Sequence, residues 1–540
     1  MRWLLPCVAL WVGAGCYITE RGQVQSAFAV ASGAGGGSST SGCGPATCPG
    51  CCTASGACAS GALNSECGAQ GAICSDCTAQ AGTCGAGRCS VVISTSVTVR
   101  GNTTFISNGV LAPRSLDAVA LFVAQADGGF ASVPKTQQQG AVVFQPIPAG
   151  ERLLFTGDSW VAGVGAEVDL SKTRLERSTV AFADAGLSWT MTTGDVSAFP
   201  PGTNLQAYSP SLGLWVERYQ RGAQSPLGSS TMTVFDHVAA VGGSLAPVPM
   251  GDTVFLSAMT PLDAGPGTTG QLATAMGVTP LQLTPGVTAQ AQLNFSMGRA
   301  VPLTTTWHVR GLRNSVGALI DQTLPQRHAF AVSALPHAGD AGSTGSSGDL
   351  LIIDGDGATV LDEVPVNVTA RSVFPADWPL VATASFCGAI ATQRPDAGAL
   401  TVTPQLCVVE QGLSLDLQPS GLAVVDIALD GVSLMARPGQ PLAGVRVGPT
   451  GLLGWNPSAP AGSWEVRSYT FDGANWRQVS TLLVPGSRSS VVLPPNFLTP
   501  GQPALLRVIG RRQTGVETAP YRATFPWGTA DVPTGVFDVR

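Results

Sequence analysis

Leu153 to Trp160 reads LLFTGDSW, a run of apolar, strand-forming residues followed by Gly157, Asp158 and Ser159. A strand ending in a sharp turn can present a serine hydroxyl as a nucleophile. That chemistry needs an imidazole to take the proton and an acid to orient the imidazole. The chain has four histidines: His237, His308, His328 and His337. Three residues before them stand Val234, Thr305, Pro325 and Ala334, none of them an acid. A nucleophilic serine of this kind also opens a helix, whereas VAGVGAEV follows Ser159, with Gly163 and Gly165 opposing helix formation. Asp236 precedes His237 in VFDHV, but neighbours on a strand point to opposite faces. No HExxH or other close histidine pair offers a zinc site.

LLFTGDSW resembles the nucleophile segment of GDS-type esterases and lipases. The resemblance implies catalysis at Ser159, an Asp-x-x-His near the C-terminus and a Gly-x-Asn-Asp block donating to an oxyanion. This chain has neither block. Ser159 therefore reads as part of the loop leaving a closing strand, and an esterase is the last of three functional readings.

Two other patterns could bind ligands. IIDGDGATVLDE (352–363) places Asp354, Asp356, Asp362 and Glu363 close together, as a calcium loop does. It lacks an oxygen ligand at Ala358, the glycine one position later and the flanking helices, so a β-hairpin with Asp-Gly turns is expected. Trp160, Trp455, Trp476 and Trp527 lie beside turns, where exposed rings could stack on sugar faces. The favoured reading is that they plug the ends of sandwiches. No cofactor or metal is expected.

Ten cysteines fall within fifty residues: Cys43, Cys48, Cys51, Cys52, Cys58, Cys67, Cys74, Cys77, Cys84 and Cys89. The spacing repeats, with Cys43, Cys48, Cys51 and Cys58 matched by Cys67, Cys74, Cys77 and Cys84, and with Cys52 and Cys89 as extras. Leu63 and Ile73 are nearly the only large apolar residues here, so covalent cross-links must hold the segment. CPGC and CSDC have zinc-ribbon spacing, but an even count behind an export signal favours disulfides of undetermined connectivity. Cys387 and Cys407 lie in two further apolar runs. They form either a disulfide, contributing about 3 kcal/mol through loop closure, or a buried unpaired couple.

These features must be held by a chain with unusually little charge: 11% charged residues, 67 Gly, 39 Pro and a formal net charge of −6. Lysine occurs only at 135 and 172, and no basic run exists, which argues against a nucleic-acid partner. MRWLLPCVALWVGAGC has one positive residue, a short apolar run and small residues, the form of an export signal. Gly13-Ala14-Gly15-Cys16 resembles a bacterial lipobox, which implies acylation of Cys16. Gly13 departs from the usual Leu, Val or Ile, and ordinary secretion is the alternative. SGAGGGSSTSG (32–42) is a flexible tether.

From Ser90 onward, apolar runs of four to eight residues alternate with Gly, Pro, Asp and Ser clusters, the pattern of antiparallel β-sandwiches. The best helix candidate is a two-turn stretch at Ser171 to Arg177. The expected fold is mainly β, with tandem antiparallel sandwiches behind a small disulfide-rich module. Its parts are 1–16 (signal), 17–42 (linker), 43–89 (cystine module), and sandwiches at 90–177, 178–298, 299–411 and 412–540, with a polar insertion at 337–349. SVTVRG near Gly101 and TWHVRG near Gly311 could be equivalent strand ends.

VTVRGNTTF, DAVALFV and AVVFQPIPAGERLLF (within 97–156) resemble carboxypeptidase-regulatory-like, transthyretin-like modules, which implies an accessory domain without catalysis. The export signal, the CGPATCPGCCTASGAC and CGAQGAICSDC units and the β-rich tail together resemble cysteine-rich surface lipoproteins of the myxobacterial kind. That resemblance implies location: an outer-membrane or cell-surface lipoprotein, otherwise a secreted or periplasmic protein. The expected function is non-catalytic display, adhesion or envelope interaction, with a membrane held through Cys16 and a polysaccharide or another surface protein as partner. Polysaccharide binding through tryptophan is the second reading.

Overall fold

The computed structural model describes residues between 43 and 539, apart from the stretches 175–188, 221–230, 235–251, 337–347 and 436–450 and others of seven residues or fewer. The signal, Cys16, the linker, His237 and His337 lie outside the described residues, as does most of the polar insertion.

The apolar runs form strands, and alternation explains how they pack. In Val97–Arg100, Val99 and Val97 are buried while Thr98 and Arg100 turn outward. This strand joins Lys135–Gln138, Ala141–Phe144 and Glu167–Asp169 in one sheet. Facing it are Phe130–Ser132, Ala120–Ala124, Arg152–Phe155 and Trp160–Ala162. Val97, Val99, Val142 and Phe144 meet Leu121, Val123, Leu154 and Val161 between the two sheets, all essentially inaccessible. Each such side chain contributes about 1.5–3 kcal/mol by leaving water. This is the first sandwich.

Three further two-sheet units follow. The second sets Thr231–Val234, Trp189–Thr193 and Ala289–Leu293 beside a sheet of Leu214–Gln220, Asn204–Ser209, Asp252–Leu262 and Thr268–Leu281. In the third, Arg299–Trp307 pairs with Val364–Ser372 and covers Gly348–Asp356, Gln326–Ala334, Leu380–Ala389 and Gln405–Gly412. In the fourth, Val424–Leu429, Leu452–Pro457 and Ser490–Val492 cover Trp476–Pro485, Ser463–Phe471, Pro503–Arg511 and Trp527–Pro533.

The four-stranded sheets are not separate. Trp160–Ala162 pairs in parallel with Trp476–Pro485, Trp527–Pro533 pairs with Gln405–Gly412, and Gly348–Asp356 pairs with Thr268–Leu281. One hydrogen-bonded sheet of seventeen strands therefore runs through all four units. Its spatial order is first, fourth, third, second, which is not the order of the chain.

Several local expectations fail. Ser171 to Arg177 does not make a helix in its described part: Lys172–Arg174 is a strand, paired in parallel with Asn102–Phe105. Backbone partners on an adjacent strand outweigh a propensity spread over two turns. The one helix among the described residues is Val309–Val316, directly after Trp307. It buries Val309, Leu312 and Val316 at helical spacing, while Arg310 and Arg313 reach Asp362. TWHVRG thus ends a strand and opens a helix, and is not equivalent to SVTVRG. The expected hairpin at 352–363 is absent too, because Gly348–Asp356 and Val364–Ser372 belong to opposite sheets.

Candidate functional site

The strand Arg152–Phe155 pairs with Trp160–Ala162, with Phe155 opposite Trp160. Thr156, Gly157, Asp158 and Ser159 are therefore the four residues of a hairpin turn, closed by Thr156 N donating to Ser159 O at 2.8 Å. Gly157 sits at φ +100°, a conformation that favours glycine.

Into this turn comes Tyr521, more than three hundred and sixty residues further along the chain. Asp158 Oδ1 accepts from Thr156 Oγ1 at 2.8 Å, from Ser159 Oγ at 3.0 Å and from Tyr521 OH at 2.6 Å. Asp158 Oδ2 takes the Lys172 ammonium at 2.8 Å, with Arg114 at 3.6 Å. Both cations also lie over the Tyr521 ring, Lys172 at 3.9 Å and Arg114 at 4.8 Å from its centroid.

Burial works against ionisation of Asp158, but the charge and hydrogen bond of Lys172, with the bonds from Tyr521 and Thr156, outweigh it and hold the carboxyl well below its usual range. Burial pulls Lys172 down, partly offset by Asp158. Burial and then the Asp158 charge push the Tyr521 phenol up. Every group near Ser159 is thus a poor general base: the carboxylate is stabilised, the ammonium is paired and the phenol keeps its proton. Ser159 is itself buried, with its hydroxyl engaged by Asp158 and Tyr521. His328 is buried against Trp307 and His308 lies between Glu363 and Asp416, so neither serves this serine. The turn that spells a hydrolase motif is the joint between the first and fourth sandwiches.

The joint extends on both sides. Trp160 and Val161 pair with Leu482 and Leu483, and Leu483 enters the core of the first sandwich. Arg488 Nη1 donates to Glu151 Oε1 at 2.7 Å. Sequence reading missed Tyr521, Arg114 and Lys172. Both lysines of the chain prove structural in the fold, Lys172 on Asp158 and Lys135 donating to the carbonyls of Asp117 and Val119 at 2.6 and 2.7 Å. Their scarcity had no such meaning in the sequence alone.

The cystine module pairs Cys43–Cys52, Cys48–Cys58, Cys51–Cys74, Cys67–Cys84 and Cys77–Cys89. The repeat in spacing is not a repeat in connectivity. Cys48 bonds Cys58, whereas its counterpart Cys74 crosses to Cys51 and ties the two halves together. The sulfurs of Cys43, Cys48 and Cys52, and of Cys67, Cys77 and Cys89, lie within metal-binding distance of one another, but all are in disulfides and offer no thiolate. The module rests on the fourth sandwich, where Ile73 N donates to Ser489 Oγ at 3.0 Å. Cys387 and Cys407 are bonded directly across two antiparallel strands of the third sandwich.

The tryptophan platform is corrected for three of its four residues. Trp160, Trp455 and Trp527 are at most 8% exposed, so none offers a ring face. Trp160 packs on Phe122 and Phe155, and Trp455 on Trp464. Trp476 is half-buried beside Phe471. The acidic stretch does not converge either. Asp354 accepts from Thr269 at 2.6 Å, while Asp362 pairs with Arg310 and Arg313.

No family model and no curated protein matches the chain. Among solved structures it is similar to a tetra-tandem repeat in the extending region of a large adhesion protein, at 10% identity over 82% of this chain and 100% of that one, TM-score 0.12. It is also similar to the FN1-FN3 domains of chicken CNTN1 (9% identity, 66% of this chain, 97% of that one, TM-score 0.11) and to a Streptococcal ancillary pilin (11%, 52%, 96%, 0.11). At these TM-scores the likenesses carry no argument about this chain.

Proposed function

We propose that this protein is a non-catalytic display or adhesion protein of the cell envelope, exported and held to a membrane by a lipid on Cys16. One observation carries the reading: all twelve cysteines from Cys43 onward are paired in six disulfides. Such pairing persists in oxidising compartments and is reduced in the cytosol. The module also depends on it, since among the described residues its buried apolar ones are cysteines and Ala72. The 32–42 tether would carry the module and sandwiches away from the anchor. The engagement of Ser159 in a joint supports a role without hydrolysis, and the partner we propose is an envelope polysaccharide or another surface protein.

Intact mass of the native protein before and after thiol alkylation tests export: no alkylation is expected, and free thiols at these positions overturn it. Labelling with a palmitate analogue tests the anchor, with label expected on the wild type and absent from Cys16→Ser. An unlabelled wild type leaves secretion in place of anchoring. A peptidoglycan and glycan pull-down distinguishes the partners, and retention lost on Trp476→Ala would favour polysaccharide.

A further inference from the structure

Residues 513–521 lie between two strands of the fourth sandwich; Gln513 still bonds Arg511 there, yet the segment beyond it reaches the first. Val516 is fully buried in the same core as Val97, Val99, Phe144 and Val161, not in the core of its own unit. The flanking main chain accepts two hydrogen bonds from the first sandwich: Gly165 N to Glu517 O at 3.2 Å and Asp169 N to Thr518 O at 2.6 Å. Tyr521 then fills the Thr156–Ser159 turn. The segment is itself pre-shaped. Thr518 N and Ala519 N both donate to Gly515 O, Gln513 Nε2 donates to Pro520 O, and Gly515 takes φ +75°.

We propose that residues 513–521 form a strap that the last sandwich lays across the first. Without it, the first sandwich loses a core residue, two main-chain acceptors for Gly165 and Asp169, and the plug of its Asp158 turn. The earliest sandwich in the chain is then the last to be completed. Loss of the strap loosens its hold on the fourth, leaving the Trp160–Leu482 ladder and the Arg488–Glu151 pair, while the third and fourth stay joined through Gln405–Gly412 and Trp527–Pro533.

Hydrogen exchange followed by mass spectrometry on the full, disulfide-intact chain tests this. Val516→Ala should speed exchange across 97–169 at least tenfold and leave 326–412 and 463–509 at wild-type rates. Val516→Asp should do so more strongly. Val508→Ala, in the fourth sandwich's own core, should do the reverse. The strap is overturned if Val516→Ala leaves 97–169 unchanged. It is equally overturned if 463–509 loosens as much as 97–169, since the two sandwiches would then open as one body.

Discussion

Where the third and fourth sandwiches meet, Gln405–Gly412 and Trp527–Pro533 run antiparallel through five residue pairs, from Cys407 opposite Asp531 to Gln411 opposite Trp527. Where the first and fourth meet, a parallel ladder stops after two pairs, and side chains do the rest: Tyr521 in its turn beneath Lys172, Arg488 on Glu151 and Val516 in the neighbouring core. The first kind of joint rests chiefly on main-chain bonds that most substitutions leave intact, with the Arg512–Glu410 pair beside them. The second is written in a handful of residue types, so it should fail to single substitutions and to acid. Two neighbours of one sheet are thus held by interactions of different vulnerability.

The largest test attacks the strand set common to both joints. Glu465 is buried between Arg467 and Arg511. Glu465→Ala leaves two guanidinium groups without their shared carboxylate and should cost about 3–5 kcal/mol. Denaturant midpoints should fall, and both joints should loosen together in hydrogen exchange. A loss confined to one joint would show that the fourth sheet does not transmit strain between them.

Acid should separate the two regions in order. Burial, with Arg313 adding and Asp356 opposing, lowers His328 from 6.5 to about 4. The fold holds the neutral ring, so its stability is complete above pH 6.5, declines between 6.5 and 4, and is level below. At about 1.4 kcal/mol per unit, the third sandwich loses about 3 kcal/mol over that window. Asp158 is depressed below its ordinary 3.8, so its contribution is complete above that value and is lost only as pH falls further, toward its folded value. A pH series of denaturation curves should show the third sandwich weakening first. His328→Phe should abolish the upper slope and leave the lower one.

Smaller effects sharpen the joint between the first and fourth sandwiches alone. Asp158→Asn keeps the shape of the turn but removes the charge facing Lys172. Because the carboxylate is half exposed, screening limits the loss to about 1 kcal/mol, and it should vanish in high salt. Tyr521→Phe removes one hydroxyl and keeps the ring under Lys172 and Arg114, for about 0.5–1 kcal/mol. Ester hydrolysis, assayed on wild type and Ser159→Ala, should be indistinguishable from buffer in both. A rate that disappears with the serine would replace the joint by an active site.

The legible and illegible parts divide by distance along the chain. Alternation marked Val97–Arg100, Ser463–Phe471 and their like, because a half-buried strand records its burial in its own residues. Missing partners near Ser159 were also readable, since a hydrolase needs specific types at specific spacings. The helix Val309–Val316 escaped because two turns containing Gly311 carry little propensity; its burial against the third sandwich makes it. The tryptophans left two readings open, because a ring beside a turn has the same sequence whether it faces solvent or plugs a core.

Composition and periodicity by themselves determined a mainly β chain of sandwiches and a cysteine segment too poor in apolar residues to fold without cross-links. These are local properties, fixed by what each residue does to its own strand or loop. Only the tertiary structure decided which sandwich touches which, how ten cysteines pair, and that Gly157-Asp158-Ser159 receives Tyr521. Strand edges carry the same main-chain donors and acceptors everywhere, so nothing in the sequence of one edge names its partner. That choice is made by packing, through Val516, Leu483 and Tyr521.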